Sequence, residues 1–240
     1  MRPSALECDS AQAAGGGENG RAAASLPPET AYRGNLRLLD EPLTAVFCSN
    51  RCSGDLILKT YDLARAMRDA GVPVIGGFQT RMEKECLRLL LRSTQPVVVC
   101  PARGIENLRV PRDWRPALDD GRLLVLSRFP ATVRRPTADL TAQRNDLVAS
   151  LATRVFIAHA APGSKTEAFA RMLAASGKPL LTLDSPANGS LVGMGAEVVG
   201  QGHAEQSGIQ SPNSPRRLCH IALYSPGRRV DRTRKETETG

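Results

Sequence analysis

The sequence predicts an α/β fold: a Rossmann-like, doubly wound and mostly parallel sheet of about six strands, with disordered tails. Short apolar runs recur along residues 41–200 without polar alternation, the pattern of parallel strands covered on both faces. Stretches with a helical apolar period separate these runs, and several stop at a glycine suited to the position after a helix. The turns after the strands are rich in Gly, Ser and Arg, and ligands of such sheets bind at the carboxyl ends of the strands.

Residues 1–30 are mostly Ala, Gly, Ser and Pro, including Ala13-Ala14-Gly15-Gly16-Gly17, and cannot bury enough surface to offset their ordering entropy. Residues 32–41 follow as a lead-in that packs loosely on the domain. The division is therefore 1–40 as disordered and lead-in segment, 41–200 as the folded domain and 201–240 as a basic flexible tail. The first buried strand is 44–49, bounded by Pro42 and by Asn50-Arg51-Cys52-Ser53-Gly54. Asp55 caps a helix whose Leu56, Leu63, Ala66, Met67 and Ala70 share a face and which stops at Gly71. Strand 72–76 ends at Gly76-Gly77, helix 82–91 follows, and 96–100 is the third strand. The connection 101–121 carries Arg103, Arg109, Arg112 and Arg115, with Trp114 on a short helix starting at Pro111. A fourth strand, 122–127, leads past Arg128, Phe129, Arg134 and Arg135 to Thr137, which caps a helix running to about 151. Strand 155–159, helix 165–176 ended by Gly177, and strand 179–183 complete the six. A short helix with Gly193 and Gly195 then leads to a further candidate strand at 197–199.

With 240 residues and 41% apolar content the chain buries a core as one domain with tails. The net charge of +8 favours polyanionic partners, and residues 211–240 hold half of that excess, 7 basic against 3 acidic. The six cysteines, at 8, 48, 52, 86, 100 and 219, lie mostly in apolar runs, as reduced thiols do, and imply no disulfide framework. Cys48-x3-Cys52 has no second pair at ligand spacing, and His159, His203 and His220 are scattered, so no metal site is expected. No run reaches the roughly 18 apolar residues of a membrane span. Glu7 and Asp9, without an apolar core region, do not fit a signal peptide, and the cytoplasm is the expected compartment.

The candidate site centres on residues 142–168. Gly163 and Ser164 sit at a strand-to-helix turn, where unpaired N–H groups and the helix dipole attract an anion such as phosphate. The plainer alternative is that Ser164 caps the helix and Gly163 turns the chain. Arg144 and Asn145 form part of a solvated helix face, or else the Arg144 guanidinium clamps a phosphate held at Gly163 and Ser164. Ser49 and Arg51, after the first strand, are placed to do the same. Glu83 and Glu85 read as charged positions on the second helix rather than an acid–base pair. His159 faces the ligand crevice or is a hydrogen-bonded structural histidine. Gly-x-Ser-x-Gly and the Walker lysine pattern are absent, and no strand-to-helix turn carries Gly-x-Gly-x-x-Gly, so no catalytic residue is assigned.

Arg144-Asn145-Asp146-Leu147-Val148-Ala149-Ser150-Leu151-Ala152, the strand after it and Gly163-Ser164-Lys165-Thr166-Glu167-Ala168 resemble, in the same order, a motif of the DprA/Smf DNA-processing family, Rossmann-like relatives of the LOG proteins. Gly177-Lys178-Pro179, Asn188 and Gly195-Ala196 are similar to the segment that follows, and the resemblance spans roughly residues 43–199. It implies a single-stranded DNA partner held in a basic pocket, self-association as a homodimer, a recombinase as protein partner, and work in recombination and natural transformation. The implied ligand- or DNA-phosphate-binding set is Ser49, Arg51, Gly77, Arg144, Asn145, Gly163, Ser164, Lys165 and Thr166, with no cofactor and no membrane partner. The chain departs from the family pattern at Cys48-Ser49-Asn50-Arg51, which has an extra residue, and at residues 76–83, which keep one glycine and an acid. It also lacks the histidine of the next helix and a C-terminal winged-helix pattern. The alternative implied by the same relatives is a small-nucleotide sensor or a LOG-like nucleoside monophosphate phosphoribohydrolase. Residues 161–167 lack the second and third glycines of Pro-Gly-Gly-x-Gly-Thr, which makes an enzyme the lesser expectation. Nine aromatic residues favour phosphate contact over a base-stacking platform.

Overall fold

The computed structural model describes residues 26–27 and 29–199 of the chain. The expectations for residues 1–25 and 200–240, with Cys8, His203, Cys219 and His220, lie outside the described residues. The strands are β1 (Ala31–Gly34), β2 (Thr44–Phe47), β3 (Val74–Gly76), β4 (Val97–Val99), β5 (Leu123–Ser127), β6 (Arg154–Ile157), β7 (Leu180–Leu183) and β8 (Glu197–Val199). The helices between them are α1 (Gly54–Asp69), α2 (Arg81–Leu90), α3 (Arg115–Asp119), α4 (Ala138–Leu151), α5 (Lys165–Ala175) and α6 (Gly189–Gly193).

All eight strands form one sheet in the order β1-β5-β4-β3-β2-β6-β7-β8, parallel throughout except for the β1–β5 pair. Alternate strand residues point to opposite faces, and both faces are covered. On one face Val46, Val74, Val97, Val125 and Phe156 pack with Leu56, Leu63 and Met67 of α1, Met82, Cys86 and Leu87 of α2, and Ala117 of α3. On the other Ala45, Phe47, Ile75, Val98, Leu124 and Ile157 pack with Leu147 and Val148 of α4, Ala170 and Leu173 of α5, and Leu191 of α6. Burial on both faces is why these strands read as unbroken apolar runs.

Two strands add to the six expected. The candidate at 197–199 is β8, parallel to β7. The other is β1, inside the segment read as a loose lead-in, which pairs antiparallel with β5 from Ala31↔Ser127 to Gly34↔Leu124. Its half-buried Ala-Tyr-Arg-Gly sequence has too little apolar content to stand out, because an edge strand takes its stability from its neighbour.

The chain steps outward from β2 through β3 and β4 to β5, then returns to the middle and steps the other way through β6, β7 and β8. Strand order therefore reverses between β2 and β6, and a doubly wound sheet opens its crevice at the carboxyl ends of that pair. The two ends are tied together there by the Ala158 N–H donating to Phe47 O and the Ser49 N–H donating to His159 O, both at 2.9 Å.

Candidate functional site

A cleft of about 210 Å³ opens at this reversal point, lined by residues of four segments: Phe47 at the end of β2 with Cys48 and Asn50 beyond it, Gln79 and Thr80 after β3 with Glu83 of α2, Thr141, Arg144 and Asn145 on α4, and Lys165, Thr166 and Phe169 on α5. Arg144 is 3% exposed. Its Nη1 donates to Cys100 O at 3.1 Å, its Nη2 to Gln79 Oε1 at 3.0 Å and its Nε to Asn145 Oδ1 at 2.8 Å. The guanidinium rests on Gly77, where a Cβ would coincide with it. Burial lowers its pKa below the ordinary arginine value, against the opposing fields of Glu83 and Cys100. Arginine nonetheless stays charged, and Arg144 makes no ion pair among the described residues.

Glu83 is the acid whose field reaches Arg144, and it is committed elsewhere. At 5% exposure it accepts from the Cys48 N–H at 3.0 Å through Oε1, and from the Gln79 and Thr80 N–H groups at 2.8 and 3.2 Å through Oε2. The Thr80 side chain accepts in return from the Glu83 N–H, closing a capping box at the start of α2. The sequence expectation of a charged position on the second helix is thus corrected: Glu83 is a buried clamp that joins the β2 and β3 loops. Phe78, in the turn before it, has φ +46°, a positive-φ conformation costly for a bulky residue. Glu85 does lie on the surface, paired with Arg88.

The start of α5 forms the other wall. Ser164 caps the helix, its Oγ accepting from the Glu167 N–H at 3.1 Å. Ser49 Oγ lies 3.4 Å from Ser164 Oγ and accepts from the Ala161 N–H at 3.1 Å. The expectation that the Gly163 and Ser164 N–H groups face an anion is not met: Gly163 N–H donates to Glu167 Oε2 at 2.9 Å and Ser164 N–H to Ala161 O at 3.0 Å. The cause is local, since Glu167 reaches back one turn and the tight 161–164 turn uses the serine amide. The N–H groups of Lys165 and Thr166, the first two residues of the helix, have no partner among the described residues, and both residues line the cleft.

The structure thus gathers Arg144, Asn145, Lys165 and Thr166 around the cleft, with Gly77 beneath Arg144 and Ser49 and Ser164 supporting the α5 wall. Arg51 is exposed and lies outside the cleft lining. Gly163 shapes the turn with φ +70°. His159 takes the structural alternative: Asn188 fixes its own orientation by donating from Nδ2 to Ala158 O and Leu183 O, so its Oδ1 accepts from His159 Nδ1 at 2.9 Å. Sequence reasoning missed Gln79, in the loop after β3, and Thr141, on α4, neither of which carries a motif. It had a signal for Glu83, because Thr80-x-x-Glu83 is a capping-box pattern.

Known proteins resemble this chain in sequence pattern and in fold. The model of the family described as DNA recombination-mediator protein A matches residues 18–208. DNA processing protein A from Streptococcus pneumoniae superposes with a TM-score of 0.60 at 18% identity, over 74% of this chain and 66% of that one, just under two thirds of its length. DNA processing protein A from Helicobacter pylori superposes with a TM-score of 0.60 at 20% identity, over 72% of this chain and 82% of that one. That structure concerns the single-stranded DNA binding mode of the Helicobacter pylori protein. At these identities the two likenesses establish the fold. Comparison with curated protein sequences returns no match. Among the described residues no helix is long and apolar enough to cross a membrane.

Proposed function

The chain belongs to the DNA recombination-mediator protein A family, and from that premise we propose that it binds single-stranded DNA by seating a backbone phosphate in the cleft between β2 and β6. The observation that carries this reading is Arg144, a buried cation with no ion pair among the described residues. A buried charge without a counter-ion is costly, and a phosphate arriving beside it removes that cost. The unpartnered Lys165 and Thr166 N–H groups and the positive end of α5 add neutral donors, and the Lys165 ammonium adds a second charge. Such contacts hold a strand without reading its bases.

Size supports a strand over an enclosed small ligand. At about 210 Å³ the cleft is below the roughly 300–1,000 Å³ usual for small-molecule sites, so one phosphate with part of its sugar fits while the strand runs on outside. Phe169, in edge contact with Phe47 at 5.1 Å between ring centroids, lines the wall and offers apolar surface to a sugar or base. No residue of the cleft is assigned a catalytic role. Self-association and delivery of the strand to a recombinase during DNA uptake belong to the same proposal, as the family's context for a bound strand.

The test is fluorescence anisotropy of a labelled single strand across a salt series, with the intact chain, a chain ending at Gly200, Arg144→Ala and Lys165→Ala. The truncated chain keeps its affinity, Arg144→Ala loses at least about tenfold, and Lys165→Ala flattens the slope of log affinity against log salt by about 0.7, the value of one phosphate contact. Binding unchanged in Arg144→Ala, or lost with residues 201–240, overturns the reading.

A further inference from the structure

A second, larger cleft of about 500 Å³ opens at the same end of the sheet, where the connections after β4 and β5 meet. Its lining includes Arg103, Glu106, Asn107, Leu108, Val133 and Arg134, none of which borders the Arg144 cleft. The two connections are locked together. Gly104 N–H donates to Val133 O at 2.9 Å, and Ser127 Oγ donates to Arg103 O at 2.6 Å. A Cβ at Gly104 would collide with the Pro130 carbonyl oxygen, so only glycine allows this approach. The cleft is therefore a built feature of two crossed loops, with walls held in fixed relation.

Its chemistry is unsatisfied in a specific way. Glu106 Oε2 is buried and has no hydrogen-bond partner among the described residues. A buried carboxylate oxygen without a donor is costly, and Oε2 lies against Gly104, so the cost is relieved when the Glu106 side chain turns its carboxylate into the cleft it lines and meets an N–H there. Arg103 and Arg134 are exposed, and neither makes an ion pair among the described residues. The cleft thus combines a buried acceptor, apolar surface from Leu108 and Val133, and two free guanidinium groups. Its volume falls within the roughly 300–1,000 Å³ of small-ligand sites.

We infer that this cleft is a second binding site, for a nucleotide unit whose phosphate pairs with Arg103 and Arg134 and whose base donates N–H groups to Glu106. Guanine fits best, because its N1–H and N2–H₂ donors are neighbours and engage a carboxylate together. Thymine fits worst, because its single N3–H lies between two carbonyl oxygens that the carboxylate repels. The unit is either a free nucleotide or one residue of a DNA strand, and both present the same chemistry. Because the site shares no lining residue with the Arg144 cleft, the inference stands apart from the proposed function.

The experiment compares dGMP with dTMP by titration calorimetry on the intact chain. In parallel it compares, by anisotropy, an oligothymidylate carrying one central dG with the all-dT strand. Each arm is repeated with Glu106→Gln, with the double variant Arg103→Ala/Arg134→Ala, and with Arg144→Ala. The expected result is a preference of about tenfold for the guanine-bearing ligand, abolished by Glu106→Gln and retained in Arg144→Ala, with the arginine double variant weakening binding of either base. Preference in the free nucleotide identifies that source, and preference only within the strand identifies DNA. No preference in either arm, or one that survives Glu106→Gln, overturns the inference. Failure of the proposed function shows separately, as Arg144→Ala without effect on strand affinity.

Discussion

Arg144 and Gly77 are a matched pair: the guanidinium occupies the space that any side chain at position 77 would fill. Three acceptors, Cys100 O, Gln79 Oε1 and Asn145 Oδ1, then fix its plane. Gly77→Ala forces the arginine off this seat and is expected to lower single-strand affinity about tenfold while costing about 1–3 kcal/mol of stability through overpacking. Anisotropy and urea unfolding on the same variant measure the two effects. Wild-type affinity in Gly77→Ala would detach the seat from binding.

Glu83 accepts three backbone N–H groups from two loops. Glu83→Ala leaves buried donors at Cys48, Gln79 and Thr80 and is expected to cost more than about 2 kcal/mol, seen as a lowered urea midpoint. Thr80→Ala removes only the reciprocal cap and is expected to cost about 1 kcal/mol. A loss no larger in Glu83→Ala than in Thr80→Ala would mean that the clamp between the loops contributes nothing beyond the cap.

Glu167 holds the Gly163 N–H and places a negative charge in the first turn of α5. Glu167→Ala frees that donor and removes the charge, so single-strand affinity at low salt is expected to rise about threefold. Stability falls by about 0.5–1 kcal/mol as the first turn loses a favourable carboxylate. Weaker binding in this variant would show that the bonded turn is itself the form that meets the ligand.

Burial raises the Cys86 thiol from its ordinary 9.0 to about 12, with the field of Glu83 adding to the shift. Burial also raises Cys100 to about 12, against the field of Arg144. The unfolded chain releases these protons near 9 and the folded chain near 12, so in that window the folded state binds more protons. Their stabilising contribution is complete below the unfolded value and is lost as pH rises through the folded one. The urea midpoint is expected to fall between about pH 9 and pH 11, less steeply in Cys86→Ala/Cys100→Ala than in the parent chain. Equal slopes would place the alkaline sensitivity elsewhere.

The sheet was readable because burial on both faces leaves unbroken apolar runs such as 72–76, 96–100 and 155–159. Glycines at 71 and 177 marked helix ends, and both have positive φ. Ala31–Gly34 escaped because its strand character comes from β5, far along the chain. At the site, α4 and the start of α5 could be placed from pattern, which brought Arg144, Asn145, Lys165 and Thr166 into view. The burial of Arg144 could not, since its seat and two of its acceptors belong to the connections after β3 and β4. The same holds for Glu83, whose capping box is local and whose bond to Cys48 is not. Arg51 matched the expected residue type, but no periodicity constrains where a loop arginine points.

The pairing of β1 with β5 also sets an order of events during synthesis. Ala31 meets Ser127, 96 positions later, and β1 is the only antiparallel strand of the sheet among the described residues. A ribosome adding about 5–20 residues per second exposes β1 for roughly 5–20 seconds before its partner has been made. β2, β3 and β4 can assemble in that interval, since each is followed in sequence by a strand next to it in the sheet. The earliest strand of the described residues is therefore a late arrival at the edge, and Tyr32 and Arg33 suit a segment that must wait in water without sticking to itself.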